Sequence, residues 1–389
     1  MERIKEISRY RNKNTIERKL IIPPRWSSLE KDLKVSNIKG LLMFLVVFGH
    51  FIEIYKDDYY ELFVFIYSFH MPLFIFISGY LAKRMKVSKI VNLILLYLIF
   101  QTFFNIVLHL TGDYPNLQFT YGEPHFHLWY IVSLGCWYTI ALGINKIKMD
   151  ATQKWFVFIA IFAISFISRW FTEGFEELVQ TFYDNFSSYT LSIQRTMTFM
   201  PLFFLGFFMN KNTLQQAYNS IISKRLGYAL LFITMLLTFI AAQEAEGFKA
   251  LFKGATEADN FNEDGPFVMY MVKATIQYGL AFWLCYLIFN ITSSKQSILS
   301  SWGDNSLSIF LFHPVFIFII RQTEFMDDWE ADTKVVFYLL LTVIVTYFLG
   351  NSLFVKYTKY MCQPYNSLMA VYTNVKQRIS RQFFNWKDI

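Results

Sequence analysis

The chain has 389 residues, 54% of them hydrophobic, 20% aromatic and only 17% charged, where soluble domains carry about 25% charged residues. That composition sets a soluble globular domain aside and places the chain in the membrane class. Three scattered cysteines, Cys136, Cys285 and Cys362, supply neither a disulfide framework nor a CxxC metal site, and the net charge of +7 acquires meaning only when divided by side of the membrane.

In chain order, residues 1–36 hold ten Lys/Arg and no apolar run, which predicts a cytosolic basic N-terminal extension and not a cleaved signal. A transmembrane helix needs roughly 20 mostly apolar residues. Ten segments qualify: 39–55, 62–82, 90–110, 127–144, 155–171, 196–210, 227–243, 267–290, 305–320 and 335–354. The sixth is short enough to be partly re-entrant. Residues 355–389 form a basic cytosolic tail, leaving 37–354 as the membrane domain. With the N-terminus inside, the inner segments hold 27 Lys/Arg and 8 Asp/Glu, whereas the outer ones hold 6 Lys/Arg and 21 Asp/Glu. The Lys/Arg bias therefore reads N-in and C-in, and an even number of spans agrees. The predicted fold is an all-α polytopic membrane helix bundle of about ten transmembrane helices. The outer loops, such as YPNLQFTYGEPHFH and RQTEFMDDWEADT, are acidic and aromatic. Such aromatics anchor helices at the interface, and mixed with carboxylates they also suit a sugar.

The first span begins NIKGLLMFLVVFGHF. Lys39 and His50 are eleven residues apart, three helical turns, so they share a face at heights differing by ~16 Å. Lys39 falls at the inner interface, His50 past the bilayer's middle, and Glu53 one turn further on at i+3. An ionisable side chain at that depth is a functional candidate by default; the structural alternative is an imidazole satisfied by a neighbouring helix. The second span, FVFIYSFHMPLFIFISGYLAKR, descends from outside and puts His70 ~20 Å above Lys83, so two histidines can face one cavity. Pro72 frees a carbonyl there. Lys83, Arg84 and Lys86 follow at the inner end, where they fit the positive-inside rule and can also hold an anionic ligand. His125, His127 and Trp129 lie in HFHLWYIVSL. The HxH pair lacks a third metal ligand, and Trp129 reads first as an interface anchor. His313, in NSLSIFLFHPVF, is another buried polar point beside a proline, on a helix whose start Asp304 and Asn305 can cap. No GxSxG, HExxH or P-loop occurs.

Taken together, IKGLLMFLVVFGHF, SFHMPLFIFISGYLAKR, HLWYI, MPLFFLGFFMNK and SLSIFLFHPVF resemble, in order, the signatures of the acyltransferase 3 family of integral membrane acyltransferases, and within it the bacterial fucose 4-O-acetylase-like branch. The resemblance runs over about 38–354. It implies transfer of an acyl group, usually acetyl, from cytosolic acetyl-CoA to a sugar hydroxyl of a surface or exported polysaccharide, in the bacterial plasma membrane. The family's essential first-span histidine falls on His50 and its basic partner on Lys39, where many members have Arg. Arg84 stands in a run only partly similar to the Arg-rich one of other members. On this reading His50 is general base or acyl acceptor, Glu53 orients it, and His70 or Trp129 meets the thioester oxygen or the sugar. His313 supports the site, and Lys39, Lys83 and Arg84 position the donor. No metal is expected. The partners are the lipid bilayer and an outer glycan acceptor. The competing readings are a transporter or flippase of a lipid-linked sugar or small anion, and a sensor or assembly protein that has lost activity.

Overall fold

The computed structural model describes residues 32–55, 58–83, 85–184, 186–187, 189–219, 222–244, 252, 267–323 and 326–385. Helix is the sole extended regular structure among them, as expected where a backbone must satisfy its own hydrogen bonds away from water. Each predicted span has its helix: α1 (Leu33–Ile52), α2 (Tyr60–Leu81), α3 (Val87–Leu110), α4 (Trp129–Ile144), α5 (Ala151–Trp170), then after the short α6 (Thr172–Gln180) α7 (Ile193–Phe208), and after the short α8 (Lys211–Asn219) α9 (Lys224–Glu244) and α10 (Phe267–Ile291). The chain continues through α11 (Ile298–Asp304), α12 (Ser306–Arg321), α13 (Ala331–Leu349), α14 (Ser352–Cys362) and α15 (Pro364–Asn385). Among the described residues seven helices are long and apolar enough to cross a membrane, and α11 with α12, bent by 87°, makes an eighth. The remaining two, α4 and α7, have 16 residues each, about 24 Å at 1.5 Å per residue, short of a full hydrocarbon core. The molecule is a polytopic all-α membrane protein.

Helix α1 starts at Leu33, six residues before the expected boundary, because the Asp32 side chain caps it, accepting from the backbone N–H of Lys34 (3.1 Å) and Val35 (3.2 Å). The helix ends at Ile52, so His50 sits in its last turn, and a 3-10 turn, Glu53–Tyr55, follows. This helix is the hub, packed on α2, α11, α12 and α13. Its best apolar window is 72% buried and that of α2 is 78%, against 6% for α5. The apolar side chains that α5 exposes, Trp155, Phe156, Ile159 and Ile164 among them, are what a lipid-facing helix presents.

Two pairs of glycines set the closest approaches. A Cβ on Gly40 would lie 1.9 Å from the Leu299 carbonyl oxygen, and one on Gly303 1.9 Å from that of Ser36, so α1 and α11 touch backbone to backbone. Gly79 and Gly206 do the same for α2 and α7, at 1.9 Å from Phe203 O and 2.0 Å from Phe76 O. Side chains reinforce the first contact. Asn37 Nδ2 donates to the carbonyls of Ser293 (2.8 Å) and Lys295 (2.7 Å), and Ser36 Oγ donates to Asp304 (3.1 Å). Asp304 and Asn305 therefore do not cap α12 through their side chains: Asp304 is engaged by α1, and Asn305 Nδ2 donates to the Gly350 carbonyl at 2.7 Å. The cysteines are all free. The segment read as a tail is helical over α14 and α15, and Asn92 on α3 accepts from the Tyr365 backbone N–H at 3.2 Å.

Candidate active site

His50 and Glu53 are one turn apart at the end of α1, which brings the Glu53 carboxylate to 3.2 Å from His50 Nδ1. Tyr67, on α2, donates its hydroxyl to the same carboxylate oxygen (3.0 Å), and the hydroxyl lies 3.2 Å from Nδ1. Both partners are thus gathered on one ring nitrogen, which leaves Nε2 for whatever enters the site. The imidazole packs at 4.4 Å from the Phe126 ring and stacks on His313 at 5.5 Å with 20° between planes.

A cavity of about 340 Å³ opens on this triad, lined by His50, Glu53, Tyr67, His70, His127, Trp129, Tyr189 and Arg195 together with apolar residues such as Phe199 and Phe310. The volume is that of a small-molecule site. His70 comes from α2 and donates its Nδ1–H to the Ile66 carbonyl at 2.7 Å. Trp129 stacks on Phe199 (5.6 Å, 28°), and the Arg195 guanidinium lies 5.3 Å over its indole, a cation–π arrangement. Trp129 is thus a wall of the cavity.

Two stretches of irregular backbone deliver the outer wall. Gln101, on α3, holds the loop before α4: its Nε2 donates to the carbonyls of Thr120 and Glu123, both at 2.9 Å, and its Oε1 accepts from His125 N–H (3.0 Å). His125 Nε2 lies 2.6 Å from Asn105 Oδ1, and burial pushes the His125 imidazole below its ordinary pKa, which favours the neutral form. Phe126 then takes φ +41°, and before α7 Leu191 and Ser192 take +47° and +54°. Such left-handed backbone costs of order 1–3 kcal/mol per residue and persists where the surroundings dictate it. Here the two stretches hold each other, since Leu191 N–H donates to the Gly122 carbonyl at 2.7 Å.

Of the residues singled out in the sequence, His50, Glu53, His70, His127 and Trp129 share this cavity, with His313 stacked behind His50. Lys39 and Lys83 do not line it. Lys39 is in the second turn of α1, and Lys83 follows the end of α2, where it donates to the Met209 carbonyl and lies 5.0 Å over Tyr80. Burial, with Lys154 nearby, lowers the Lys83 pKa. Arg84 lies outside the described residues. On the polar wall Tyr67, Tyr189 and Arg195 went unassigned in the sequence, and His127 was weighed there only as half of an HxH metal pair. Tyr67 was readable one turn before His70. Arg195 precedes the expected start of the sixth span by one residue and so counted as an outer-loop charge. No group of three or more metal-ligating side chains occurs among the described residues.

The family model described as an acyltransferase domain matches residues 32–351, most of the chain, and contains every residue of the cavity. The chain belongs to the acyltransferase 3 family. Its ordered motifs and helix bundle pointed to the same family. A curated relative, the nodulation protein NolL of Sinorhizobium fredii (strain NBRC 101917 / NGR234), is 47% identical over 59 residues, 14% of this chain and 16% of that protein. The chain thus spans less than a fifth of that relative in the match. No solved structure matches this chain.

Proposed function

We propose that this acyltransferase moves an acetyl group from acetyl-CoA to a sugar hydroxyl of a cell-surface or exported polysaccharide, from the plasma membrane of a bacterium, with His50 as the group that activates the acceptor. The observation that carries this reading is the pairing of Glu53 and Tyr67 on one nitrogen of His50 at the wall of a cavity. A carboxylate accepts a hydrogen bond only from a protonated nitrogen. Glu53 therefore places the proton on Nδ1 and leaves a lone pair on Nε2, the tautomer a general base needs.

In the step so derived, Nε2 takes the proton of the sugar hydroxyl as its oxygen bonds to the thioester carbonyl carbon. The C–S bond then breaks, and the imidazolium returns the proton to the departing thiolate. Glu53 stabilises the imidazolium between these events. In the covalent variant Nε2 bonds to the thioester carbonyl carbon and expels the thiolate, and the sugar oxygen then takes the acetyl group from the acetyl-imidazolium while its proton passes to the thiolate. The Arg195–Trp129–Phe199 surface offers an aromatic floor with a donor fork, suited to a pyranose face and its oxygens. Lys39 and Lys83 lie at the far ends of α1 and α2 from this chemistry, ~16–20 Å away along the helices. That position suits the donor's phosphates, with the pantetheine arm reaching toward His50. The Lys/Arg bias supports placing those ends on the cytosolic side, where the donor is.

The test is release of CoA thiol from acetyl-CoA by the purified chain with a glycan acceptor. His50→Ala, checked for unchanged thermal unfolding, is expected to lose about 10²–10⁴-fold in kcat. Wild-type turnover by a folded His50→Ala protein sinks the assignment. Movement of a lipid-linked sugar without thiol release replaces it with a flippase.

A further inference from the structure

His127 is 2% exposed, lines the cavity, and has no hydrogen-bond partner for either ring nitrogen among the described residues. It sits among rings: Phe104 at 5.1 Å, Phe310 at 4.9 Å and His313 at 5.4 Å. A buried polar group in that condition costs about 1–3 kcal/mol and calls for an explanation.

The protons on the other three imidazoles supply one. A backbone carbonyl can only accept, so His70, bonded through Nδ1 to Ile66 O (2.7 Å), and His313, bonded through Nδ1 to Ile309 O (3.0 Å), both carry their hydrogen on Nδ1. When neutral, each presents only an acceptor at Nε2. His50 does the same, with Glu53 holding Nδ1. Tyr67 gives its hydroxyl proton to Glu53. Four groups around the site are thus acceptors or spent donors. Acyl transfer needs a donor, because the thioester carbonyl oxygen becomes an oxyanion. His127 alone of the four histidines has no carbonyl or carboxylate fixing its proton, and Phe126 with its φ of +41° introduces it into the cavity.

We propose that His127 is the oxyanion donor of this acyltransferase: its ring N–H hydrogen-bonds the thioester carbonyl oxygen as the acceptor hydroxyl attacks. As the O–C bond forms, the carbonyl π pair moves onto that oxygen. His127 holds it by a hydrogen bond and keeps its own proton. Collapse re-forms C=O and expels the thiolate, which takes its proton from His50. The proposal rests on the acetyl-transfer reading above.

The experiment uses the full chain and acetyl-CoA, with kcat and KM read separately. His127→Phe keeps an aromatic ring and removes the donor, His127→Gln keeps a side-chain N–H, and His127→Leu stands in should the Phe variant fail to fold. The expected result for His127→Phe or His127→Leu is a kcat lower by about 10²–10³-fold, with KM for acetyl-CoA within threefold of wild type. His127→Gln should regain at least tenfold of that loss. Wild-type kcat in a folded Phe or Leu variant, loss expressed only in KM, or no recovery in His127→Gln overturns the assignment. His50→Ala separates the two claims. If it is dead while His127→Phe is fully active, only the oxyanion role falls. If the wild-type chain releases no thiol, both fall.

Discussion

Glu53 and Tyr67 converge on Nδ1 of His50, and on the proposed function this separates positioning from chemistry at the level of single residues. Glu53→Gln keeps the volume and loses the charge that stabilises an imidazolium. Its kcat is expected to fall by about 10–10²-fold, less than removal of the base itself, with little change in KM for acetyl-CoA. Tyr67→Phe removes one hydrogen bond to Glu53, worth about 1.5–3 kcal/mol when the acceptor is charged, and should lower kcat less than Glu53→Gln does. A steady-state comparison of the two against wild type checks the order, and the reverse order would assign the anchoring to the tyrosine. At this scale the sequence was informative where partners are near in the chain. Glu53 stands at i+3 from His50, a spacing that makes helical neighbours. It was silent on His313 stacking against His50, because nothing local to the ninth span says which face of α12 meets α1.

At the scale of elements, the site depends on helices held closer than ordinary side chains permit. The Gly40–Gly303 contact joins α1, which carries His50, to α11. The Gly79–Gly206 contact joins α2, which carries Tyr67 and His70, to α7, which carries Arg195. Since the opposing atoms are backbone, an added methyl has no flexible side chain to displace. Gly79→Ala or Gly303→Ala should destabilise by about 2–4 kcal/mol, the range of core overpacking and backbone strain, seen as a lower unfolding temperature in detergent. Gly135→Ala, where a Cβ meets nothing within 4 Å, is the control and should be neutral. If Gly79→Ala unfolds with Gly135→Ala, these approaches are not what holds the bundle. Boundaries of elements were less legible than their existence. Hydropathy has no means of seeing a side-chain cap, which is how Asp32 carries α1 back to Leu33; α7 begins at Ile193 with no side-chain cap and so takes in Arg195, which hydropathy left in an outer loop.

For the whole molecule, charge asymmetry orients the bundle, and the proposed function needs that orientation to put donor and acceptor on opposite sides of one cavity. Single cysteines in a background lacking Cys136, Cys285 and Cys362 test it with a membrane-impermeant maleimide on intact cells. Asp184→Cys, in an exposed loop position between α6 and α7, should label at once. Lys148→Cys, exposed between α4 and α5, should label only after permeabilisation. The opposite pattern would turn the molecule over and place the far lysines outside. What the sequence determined by itself was local and one-dimensional: apolar runs long enough to span, a Lys/Arg bias that sorts the loops, and motifs whose order points to the family. These depend only on neighbours along the chain and on solvent. Tertiary structure decided which helices meet, that His50 from α1, His313 from α12 and His127 from the loop before α4 cluster at one cavity, and that only His127 among them keeps an uncommitted N–H. Such facts depend on packing between segments far apart in the chain, where side-chain shape and backbone approach select one arrangement among many with the same hydropathy.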